Sequence, residues 1–322
     1  MCASDCSKKI TQENNKRSEV MNYKKIFESS VTGLLDYLKK NRLESMVLGI
    51  SGGIDSSVCA VICHEVCRRD PTLSFYGVSL PCTTNTEGET STADLIGKAW
   101  VQNFWTHEMQ TEFETIERWC IGGAGSSTPI SRGNIKARLR MIYLRNLAGL
   151  KRGISIGTSN LTEELTGFFT IAGDVGDVDL IAELWKHEVY GLASWMLENV
   201  AENEEQKESL KRSIGLTPTD GNGVKEGGDL AQIAPALKTY DELDEILMAN
   251  ERYKKKPTEA NLYLLNLVTD KYGEETVTQI LARVKGSEFK RKPMPVRLTL
   301  EGIERGEPKK EDLLKHVGYN QT

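Results

Sequence analysis

Short apolar runs alternate along the chain with longer segments whose apolar residues recur at helical spacing. Residues 23–40 carry such a helical stripe, whereas residues 46–50 are a short apolar run typical of a buried strand. Further strands are predicted at 73–80, 104–109 and 154–157, and further helices at 87–101 and 133–148. This alternation predicts an α/β fold, a doubly wound parallel sheet with helices on both faces, in which ligands bind beyond the carboxyl ends of the strands.

The second half of the chain has a different pattern. Residues 198–238 are charged and Gly-rich. Within them LTPTDGNGVKEGGDLAQ, residues 216–232, predicts a long loop, and the apolar spacing beyond predicts a helical C-terminal part. Residues 121–132 are rich in Gly and Ser and predict a second mobile loop. We expect a single domain over residues 21–297, a flexible N-terminal tail over 1–20 and a C-terminal tail over 298–322.

Composition and charge narrow the class of protein. The chain has 322 residues, of which 39% are hydrophobic, enough for one large domain or two small ones. Its formal net charge of −5 argues against a general nucleic-acid surface, and no apolar run approaches the roughly 20 residues that a membrane span needs. Seven cysteines without a framework spacing are typical of reduced thiols, so we expect a cytoplasmic protein with no nucleic-acid or membrane partner.

Three cysteines, Cys59, Cys63 and Cys67, share one face of a predicted helix beside His64. Such a cluster raises the question of a metal site. Zinc sites, however, normally place a turn between their pairs of ligands, and a free cysteine packs as a small hydrophobic residue. We therefore expect these three side chains to lie in the core.

The segment with the clearest chemistry is SGGIDSS, residues 51–57, which follows the apolar run and opens a helix. Glycines at such a turn let backbone N–H groups approach a ligand, and the positive end of the new helix favours an anion. Asp55 falls in the first helical turn, where a carboxylate can also hold a divalent cation. The Walker lysine and the G-x-G-x-x-G fingerprint are absent, so the segment predicts another kind of polyphosphate-binding loop, unless it is an ordinary Gly-rich turn.

Three further stretches carry polar or aromatic side chains in patterns that suit a binding site. GNIKARLRM at 133–141 places several cations on a helix, and GTSNLTEELTGFF at 157–169 combines a hydroxyl, carboxylates and two adjacent aromatic rings. LTPTDG at 216–221 adds a loop hydroxyl, that of Thr219. Taken singly, each stretch has an ordinary explanation: a solvated basic face, two core phenylalanines and a Ser/Thr turn.

The S-G-G-x-D-S spelling resembles the signature of the ATP pyrophosphatases (the N-type PP-loop superfamily), which cleave ATP between its α and β phosphates. Taken together, the stretches resemble the ammonia-dependent NAD synthetases. The matching motifs are SGGIDS, GNIKARLRM, GTSN-x-x-E, TGFFT-x-x-GD, LWKHEVY and PTDG, and they occur in that family's order over roughly residues 23–295. The joint occurrence of these motifs is far more specific than any one of them.

The resemblance implies a role for each matching residue. Two carboxylates, Asp55 and Glu163, would hold Mg²⁺, and catalytic roles would fall to Asp55, Lys186 and Asp174. The implied ATP contacts are Gly49, Ile50, Ser51, Gly52, Gly53, Ile54, Asp55, Ser56, Arg140, Thr158, Lys186 and Thr219. The implied deamido-NAD contacts are Arg138, Phe168, Phe169, Asp174, either Asp177 or Asp179, and Lys290.

The chain departs from the family's pattern at three places. Ile171 stands where the family usually has Lys after GFFT, so we expect one cationic substrate contact to be missing. The turn that follows is one residue shorter before Asp177, which leaves Asp177 and Asp179 as alternatives for the same acidic role. Near the C-terminus the family often has His-Lys, here Phe289-Lys290, so the charge is kept and the imidazole is lost.

The activity that the resemblance implies is the ATP-dependent amidation of deamido-NAD to NAD. A pyridine carboxylate would attack the α-phosphate of ATP, release pyrophosphate and form an acyl-adenylate, from which ammonia would displace AMP. A glutamine-dependent enzyme needs a second catalytic domain, whereas only about 20 residues precede and about 25 follow the matched stretch. We therefore expect free ammonia as the direct donor, unless a separate subunit delivers it, and, as in the family, a homodimer.

Two other functions are open on the sequence alone. Another ATP pyrophosphatase could adenylate a different carbonyl, as a GMP synthetase subunit or a tRNA-thiolating enzyme does, although the acidic charge balance disfavours an RNA substrate. A non-catalytic adenine-nucleotide sensor could retain the fold without the reaction, since fold does not determine function. ATP–pyrophosphate exchange that depends on a deamido-dinucleotide would separate the enzyme from the sensor.

Overall fold

Parallel strands form the centre of the molecule. The computed structural model describes residues 21–122, 125–173, 176–219 and 229–291. The strands within these residues are β1 (Ser45–Gly49), β2 (Ser74–Ser79), β3 (Asn103–Thr106), β4 (Gly153–Gly157) and β5 (Val178–Asp179). They pair in the order β3-β2-β1-β4-β5, and every pairing is parallel. The chain therefore builds the sheet outward from β1 to β3 and then returns to add β4 on the other side of β1.

Helices connect the strands and continue beyond them. Those that precede or connect the strands are α1 (Tyr23–Asn41), α2 (Ile54–Arg69), α3 (Glu87–Trp100), α4 (Gln110–Ile121), α5 (Pro129–Leu150) and α6 (Leu161–Thr166). Those after β5 are α7 (Lys186–Asn199), α8 (Glu204–Gly215), α9 (Asp229–Ile233), α10 (Tyr240–Lys255), α11 (Glu259–Tyr272) and α12 (Glu274–Gly286), before a 3₁₀ turn at Glu288–Arg291. In the described part of the chain, no helix combines the length and the apolar composition needed to cross a bilayer.

Two apolar clusters cover the two faces of the sheet. The first packs α1, α2, α3 and α7 against strand residues that include Met46 and Leu48. The second packs Val78 of β2 against Phe113 of α4 and the inner side of α5. Successive side chains of a strand point to opposite faces, so an apolar strand can feed both clusters. This arrangement confirms the predicted doubly wound sheet.

A third cluster holds the C-terminal helices together. It is formed by apolar side chains of α9, α10, α11 and α12, among them Leu243, Leu247 and Ile280. Phe168 and Trp185, which lie before α7 in the chain, pack against it. The C-terminal helices therefore support the segments that follow β4 and β5. The C-terminal part of the domain is helical, as predicted.

Two stretches predicted as loops contain helices. Helix α5 begins at Pro129, inside the stretch 121–132, because Thr128 and Ser131 form a capping box and Pro129 takes the first helical position. Helix α9 begins at Asp229, inside the predicted loop 216–232, and no helix is predicted for the charged residues before that loop, which form α8. Three of the four buried residues of α8 are the polar Gln206, Ser209 and Ser213, so the hydrophobic periodicity does not reveal its buried face.

The cysteines of α2 lie in the first cluster, as predicted. Cys59 and Cys63 are fully buried and Cys67 nearly so. Burial raises the pKa of both the Cys59 and the Cys63 thiols well above their usual range, which keeps them protonated. These side chains pack as small hydrophobic residues between the sheet and the neighbouring helices.

Candidate active site

A cavity of about 300 Å³ lies beyond the carboxyl ends of β1 and β4. These two strands are neighbours, and the chain leaves β1 for α2 and β4 for α6. At such a switch point the connections diverge to opposite sides and leave a crevice for a ligand. The lining residues come from the loops after β1, β2 and β4, from α5 and α6, and from the segment that leads into α9.

The loop between β1 and α2 makes a turn that only glycine fits at position 52. Gly52 has a φ of +84°, and a Cβ built there would lie 2.4 Å from the carbonyl oxygen of Glu89. Helix α2 then begins at Ile54, with Gly53 as its N-cap and no capping hydrogen bond from a described side chain. The first N–H groups of the helix are therefore turned toward the cavity without a capping group, the arrangement that binds phosphate.

Hydroxyl groups of the motif hold this loop in shape. The Oγ atoms of Ser51 and Ser56 are 3.0 Å apart, and the N–H of Gly53 donates to the Ser51 Oγ at 3.2 Å. Ser56 and Ser57 both donate from Oγ to the carbonyl oxygen of Gly53, at 3.0 and 2.9 Å. The serines of the motif thus hold the loop conformation from within, and Ser213 of α8 donates to the Ser57 hydroxyl at 2.8 Å from outside.

A buried lysine joins this loop to α6. Lys186 is the first residue of α7 and is only 1% exposed. Its Nζ contacts Oδ2 of Asp55 and lies 3.0 Å from Oε1 of Glu163. Asn160, the N-cap of α6, donates from Nδ2 to Oδ1 of Asp55 at 2.9 Å. Two carboxylates from the first turns of two helices therefore face one cationic nitrogen at the wall of the cavity.

Burial and neighbouring charges control the protonation of Lys186 and of Glu163. Burial alone would lower the pKa of Lys186, but the carboxylates of Asp55 and Glu163 raise it well above its usual value. Burial raises the pKa of Glu163 to about 7, against the opposing effect of Lys186. Lys186 therefore remains an ammonium, whereas Glu163 is fully ionised only above neutral pH or beside an additional cation.

The two carboxylates fit a magnesium ion that takes its remaining ligands from water and a substrate. Mg²⁺ usually takes one or two protein carboxylates and completes its shell with water and substrate phosphates. Asp55 and Glu163 supply such a pair at one wall of the cavity. Among the described residues, no group of three or more His, Cys, Asp or Glu side chains forms a complete protein cage for a metal.

A second buried carboxylate, that of Asp244 in α10, fixes the start of α7. Asp244 is 0% exposed, and its Oδ2 accepts from the backbone N–H of His187 at 2.9 Å and from His187 Nδ1 at 2.8 Å. Its Oδ1 accepts from the Thr162 hydroxyl at 2.5 Å, and that hydroxyl accepts from the backbone N–H of Lys186 at 2.9 Å. The hydrogen bond to Asp244 raises the pKa of His187.

Sequence reasoning did not predict Asn160, Thr162 or Asp244. Asn160 carries a usable signal, since an Asn three positions before a Glu at the start of a helix is an N-cap pattern. Asp244 carries none, because it is 82 positions from its partner Thr162 and lies in an ordinary amphipathic helix. Only the fold brings its carboxylate to the start of α7.

Most of the predicted ATP contacts line the cavity. They are Gly49, Ile50, Ser51, Gly53, Ile54, Asp55, Ser56, Arg140, Thr158, Lys186 and Thr219. Gly52 is buried behind the loop against α3. Arg140 donates to Oδ1 of Asn85 at 3.2 Å, and the Thr219 hydroxyl donates to the carboxylate of Glu89. The loop after β2 and the start of α3 thus position two of the predicted contacts.

The predicted dinucleotide contacts divide into two sets. Phe168 and Phe169 line the cavity. Arg138 is exposed outside the lining and donates from Nε and Nη2 to the carbonyl oxygen of Ile171, at 3.3 Å each. Asp174 lies outside the described residues. The rings therefore share one cavity with the phosphate loop, while the direct roles of Arg138 and Asp174 stay predictions.

The two alternative acidic residues lie at the edge strand β5, outside the cavity lining. Asp177 accepts from the backbone N–H and the hydroxyl of Ser155, both at 2.9 Å, and forms an ion pair with Arg145 at 2.8 Å. Asp179 is exposed and packs its carboxylate against Gly157 at the end of β4. Asp177 is thus held by three protein groups, whereas burial against the end of β4 raises the pKa of the Asp179 carboxyl.

Lys290 lies behind the rings, and not in the cavity lining. Its Nζ donates to the carbonyl oxygens of Gly167 and Phe169, at 2.8 and 2.7 Å. The neighbouring Phe289, which stands where the family often has His, is 58% exposed. A direct contact between Lys290 and the substrate stays a prediction, and the contacts in the structure are with the segment that carries the rings.

The geometry of the site defines a class of protein. A turn that presents helix N–H groups, beside a carboxylate pair at the switch point of a parallel sheet, suits a nucleotide with its metal ion. The protein is therefore an α/β nucleotide-binding protein of the PP-loop class. A family model described as NAD synthase matches residues 26–294, so the chain belongs to the NAD synthase family, whose members are ligases that form a C–N bond. This match confirms the resemblance seen in the motifs.

Individual relatives include both ammonia- and glutamine-dependent enzymes. The NH(3)-dependent NAD(+) synthetase of Campylobacter jejuni is 29% identical over 234 residues, which are 71% of this chain and 88% of that protein. The corresponding protein of Finegoldia magna is 30% identical over 239 residues, 73% of this chain and 89% of its own length. The glutamine-dependent NAD(+) synthetase of Thermotoga maritima is 27% identical over 272 residues, 83% of this chain, and the chain spans only 43% of its length.

Solved structures share the fold. The NMN synthetase of Francisella tularensis has a TM-score of 0.66 at 24% identity, over 87% of this chain and 99% of that one. The NH3-dependent NAD synthetase of Campylobacter jejuni has a TM-score of 0.63 at 23% identity, over 87% of this chain and 100% of that one. These likenesses support the sheet order and the layers described above.

Proposed function

We propose that this ligase amidates deamido-NAD to NAD, with ATP as co-substrate and ammonia as the direct nitrogen donor. The observation that carries the proposal is the position of Lys186 between Asp55 and Glu163, in the same cavity as Phe168 and Phe169. The cavity then has a phosphate-binding end, at the loop between β1 and α2, and an aromatic end, at Phe168 and Phe169. Membership of the NAD synthase family supports the same reaction and argues against the sensor.

The phosphate-binding end would hold ATP. The N–H groups at the start of α2 would bind the pyrophosphate that leaves, and Lys186 would neutralise the charge that develops on it. Lys186 is already fixed by two carboxylates and by Asp244 through Thr162, so its ammonium needs no reorganisation during the reaction. Asp55 and Glu163 would hold Mg²⁺, and a bound Mg²⁺ would neutralise phosphate oxygens and favour attack on the α-phosphorus.

The reaction would proceed in two steps, since a carboxylate is a poor acyl donor until its oxygen is activated. A pyridine carboxylate oxygen forms a bond to the α-phosphorus, and the bond from that phosphorus to the β-phosphate oxygen breaks. Ammonia then forms a bond to the acyl carbon, the bond to the AMP oxygen breaks, and the nitrogen loses one proton to give the amide. The protein positions the partners and keeps water from the adenylate.

Arg140, Thr158 and Thr219 lie where they could complete the ATP site, and the Phe168 and Phe169 rings where they could stack on the pyridine. The catalytic role of Asp174 stays a prediction, because that residue is outside the described part of the chain.

Two further features belong to the proposal. The relatives named NH(3)-dependent support ammonia as the donor at this site. A homodimer is supported by large apolar side chains exposed on the adjacent helices α4 and α5, which association would bury: Trp119, Ile130, Ile142 and Leu150. Sedimentation velocity tests the dimer, and a monomer at micromolar concentration would contradict it. The cytoplasmic location stays a prediction.

The test supplies the purified protein with ATP, Mg²⁺, ammonium and deamido-NAD and measures NAD and AMP. We expect the two products in equal amounts. Asp55→Ala should abolish both, because it removes a carboxylate that contacts Lys186. Asp36→Ala, which removes an exposed carboxylate on α1, should leave both unchanged.

Other outcomes would change the proposal in different ways. AMP without NAD would contradict free ammonia as the donor. Neither product, from a folded protein that binds ATP, would contradict deamido-NAD as the substrate. Nicotinate mononucleotide would then be tried as the acceptor, because an NMN synthetase shares the fold. ATP binding without AMP formation from either acceptor would favour the sensor, and AMP formed only with another carboxylate would favour a different ATP pyrophosphatase.

A further inference from the structure

Helix α11 carries large apolar side chains on the outside of the molecule. Its sequence, EANLYLLNLVTDKY, is rich in Leu and Tyr, yet Val268 alone among its described residues is buried. Tyr263 is 54% exposed and Leu267 43%, and they are four positions apart, which places them on the same face of the helix. Apolar side chains that share an exposed face in this way mark a surface that another molecule covers.

A groove of about 390 Å³ lies between α10 and α11, next to this face. Its apolar part is formed by Met248 of α10 and by Leu264 and Leu267 of α11. Lys271 of α11 donates from Nζ to Oε2 of Glu245 on α10 at 2.7 Å and ties the two walls of the groove together. The groove is therefore preformed, so a partner can bind without first having to order it.

One wall of the groove is a stripe of α10 whose charge changes along the helix. The stripe consists of four residues that line the groove: Asp241, Glu245, Met248 and Arg252. Successive members are three or four positions apart, which keeps them on one side of the helix. Asp241 and Arg252 are exposed, and neither forms an ion pair with another described residue. The stripe is thus acidic at the start of α10, apolar in the middle and basic at its end, over about 16 Å of helix.

We propose that this groove and the exposed face of α11 beside it form an isologous interface, which binds a second copy of the chain. A two-fold axis through the middle of the stripe makes the two α10 helices antiparallel, so the acidic start of each helix lies against the basic end of the other. Asp241 then faces the partner's Arg252, and the symmetry forms the same pair a second time. This charge complementarity favours a second copy over an unrelated partner.

The apolar side chains of the two grooves meet between the two charge pairs. Met248 lies near the two-fold axis, and Tyr263 and Leu267 become covered. An apolar centre with charged residues at its edge is the usual composition of a protein interface. The interface uses other helices than the α4–α5 dimer of the proposed function, so the two interfaces together join four copies. It does not depend on which substrate the ligase amidates.

Sedimentation velocity of the full chain tests the interface through its charge pair. At micromolar concentration the wild type should sediment as four copies of the 35.9 kDa chain. Arg252→Glu places two carboxylates against each other at both ends of the interface, so we expect the dissociation constant to rise at least about tenfold and two copies to remain together. Lys211→Glu makes the same charge change at an exposed residue of α8 and should leave four copies.

Exchange of the two charges separates this pairing from general damage to the protein. Asp241→Arg combined with Arg252→Glu restores opposite charges across the two-fold axis, so the dissociation constant should return to within about threefold of the wild-type value. Leu267→Lys tests the apolar part and should raise the dissociation constant at least about tenfold, because it places an ammonium among apolar side chains. Circular dichroism should show the wild-type helix content in each variant, since the altered side chains are exposed.

The remaining outcomes distinguish this interface from the α4–α5 dimer. A wild-type dimer that Arg252→Glu separates into monomers would support the interface and contradict the α4–α5 dimer. A wild-type dimer that both Arg252→Glu and Leu267→Lys leave intact would overturn the interface, and so would four copies in both variants or a monomeric wild type. Loss of association in Arg252→Glu without recovery in the exchanged variant would overturn the antiparallel pairing, and with it the choice of a second copy.

Discussion

The phosphate-binding end and the aromatic end of the cavity are built in different ways. In the phosphate-binding end, the serines of the loop bond to one another over at most five positions, as from Ser51 to Ser56, and Ser213 of α8 donates to the Gly52 carbonyl oxygen from 161 positions away. In the aromatic end, the segment before Phe168 is held by Arg283 from 117 positions away, and Gly167 by Lys290 from 123 positions away. The first end therefore combines a local motif, which the sequence alone specifies, with a few distant contacts, whereas the second depends on the docked C-terminal helices throughout.

Lys186 connects the two ends. It lies 131 positions from Asp55 of the phosphate-binding end and 23 positions from Glu163, which precedes the aromatic rings. Its burial means that both carboxylates depend on it for their charge balance. Substitutions in one end of the cavity, or at Lys186, can therefore test whether the two ends function independently of one another.

The largest effect is expected from Lys186→Met, which removes the connection. Asp55 and Glu163 would then face one another without the ammonium, and breaking a buried ion pair costs about 3–5 kcal/mol of unfolding free energy. We expect NAD formation to fall by at least about 10³-fold, since a preorganised charge is lost. Urea unfolding and product assays measure the two effects, with Lys211→Met on the exposed side of α8 as the control. Activity near the wild-type level would show that the ends work without Lys186.

A smaller effect, on ATP affinity and not on deamido-NAD affinity, is expected from Gly52→Ala. A residue with a Cβ pays about 1–2 kcal/mol in the left-handed region, and this Cβ would lie 2.4 Å from the Glu89 carbonyl oxygen, so the loop must move. We expect ATP affinity to fall about 100-fold while deamido-NAD affinity stays within about twofold.

Gly33→Ala is the control for that variant. Gly33 lies in α1 with nothing within 4 Å of a built Cβ, so the change should raise the unfolding free energy by up to about 1 kcal/mol and leave both affinities unchanged. Equal loss of ATP and deamido-NAD binding in Gly52→Ala would contradict the separation of the two ends.

The smallest effect is a pH dependence of the unfolding free energy, which comes from the pair of His187 with Asp244 of α10. The hydrogen bond to Asp244 raises the pKa of His187 above its ordinary value of 6.5. Because the folded pKa is higher than the unfolded one, this stabilisation is complete below pH 6.5 and is lost as pH rises through the raised folded value. We expect His187 to contribute a loss of about 1 kcal/mol or less between about pH 6 and pH 9, measured by urea unfolding, beside the loss from Glu163, whose pKa burial raises to about 7.

His187→Gln should remove the His187 part of that slope, and so should Asp244→Asn, because each variant eliminates one partner of the pair, while the part from Glu163 remains. Asp244→Asn should in addition lower NAD formation, since Asp244 holds the Thr162 hydroxyl that accepts from Lys186. An unchanged slope in His187→Gln would assign the pH dependence to another group.

Secondary structure was predictable where its signals are local. The strand predicted at 73–80 is observed at Ser74–Ser79, and the helix predicted at 23–40 is observed at Tyr23–Asn41. Helix α8 was missed because its buried face is largely polar and packs under α3, where Ser209 accepts from the Trp100 indole at 3.0 Å. Such a face carries few apolar residues, so only the neighbouring helix explains why its polar side chains are buried.

The order of residues alone specifies the alternation of strands and helices, the glycine turn and the carboxylate at the start of α2. These follow from hydrophobic period and backbone sterics, which act over a few positions. The fold alone brings Lys186 between Asp55 and Glu163, Asp244 to the start of α7, and Lys290 behind Phe169. Most of these partners lie tens to more than a hundred positions apart, and local conformational preference carries no information about which distant side chains will meet.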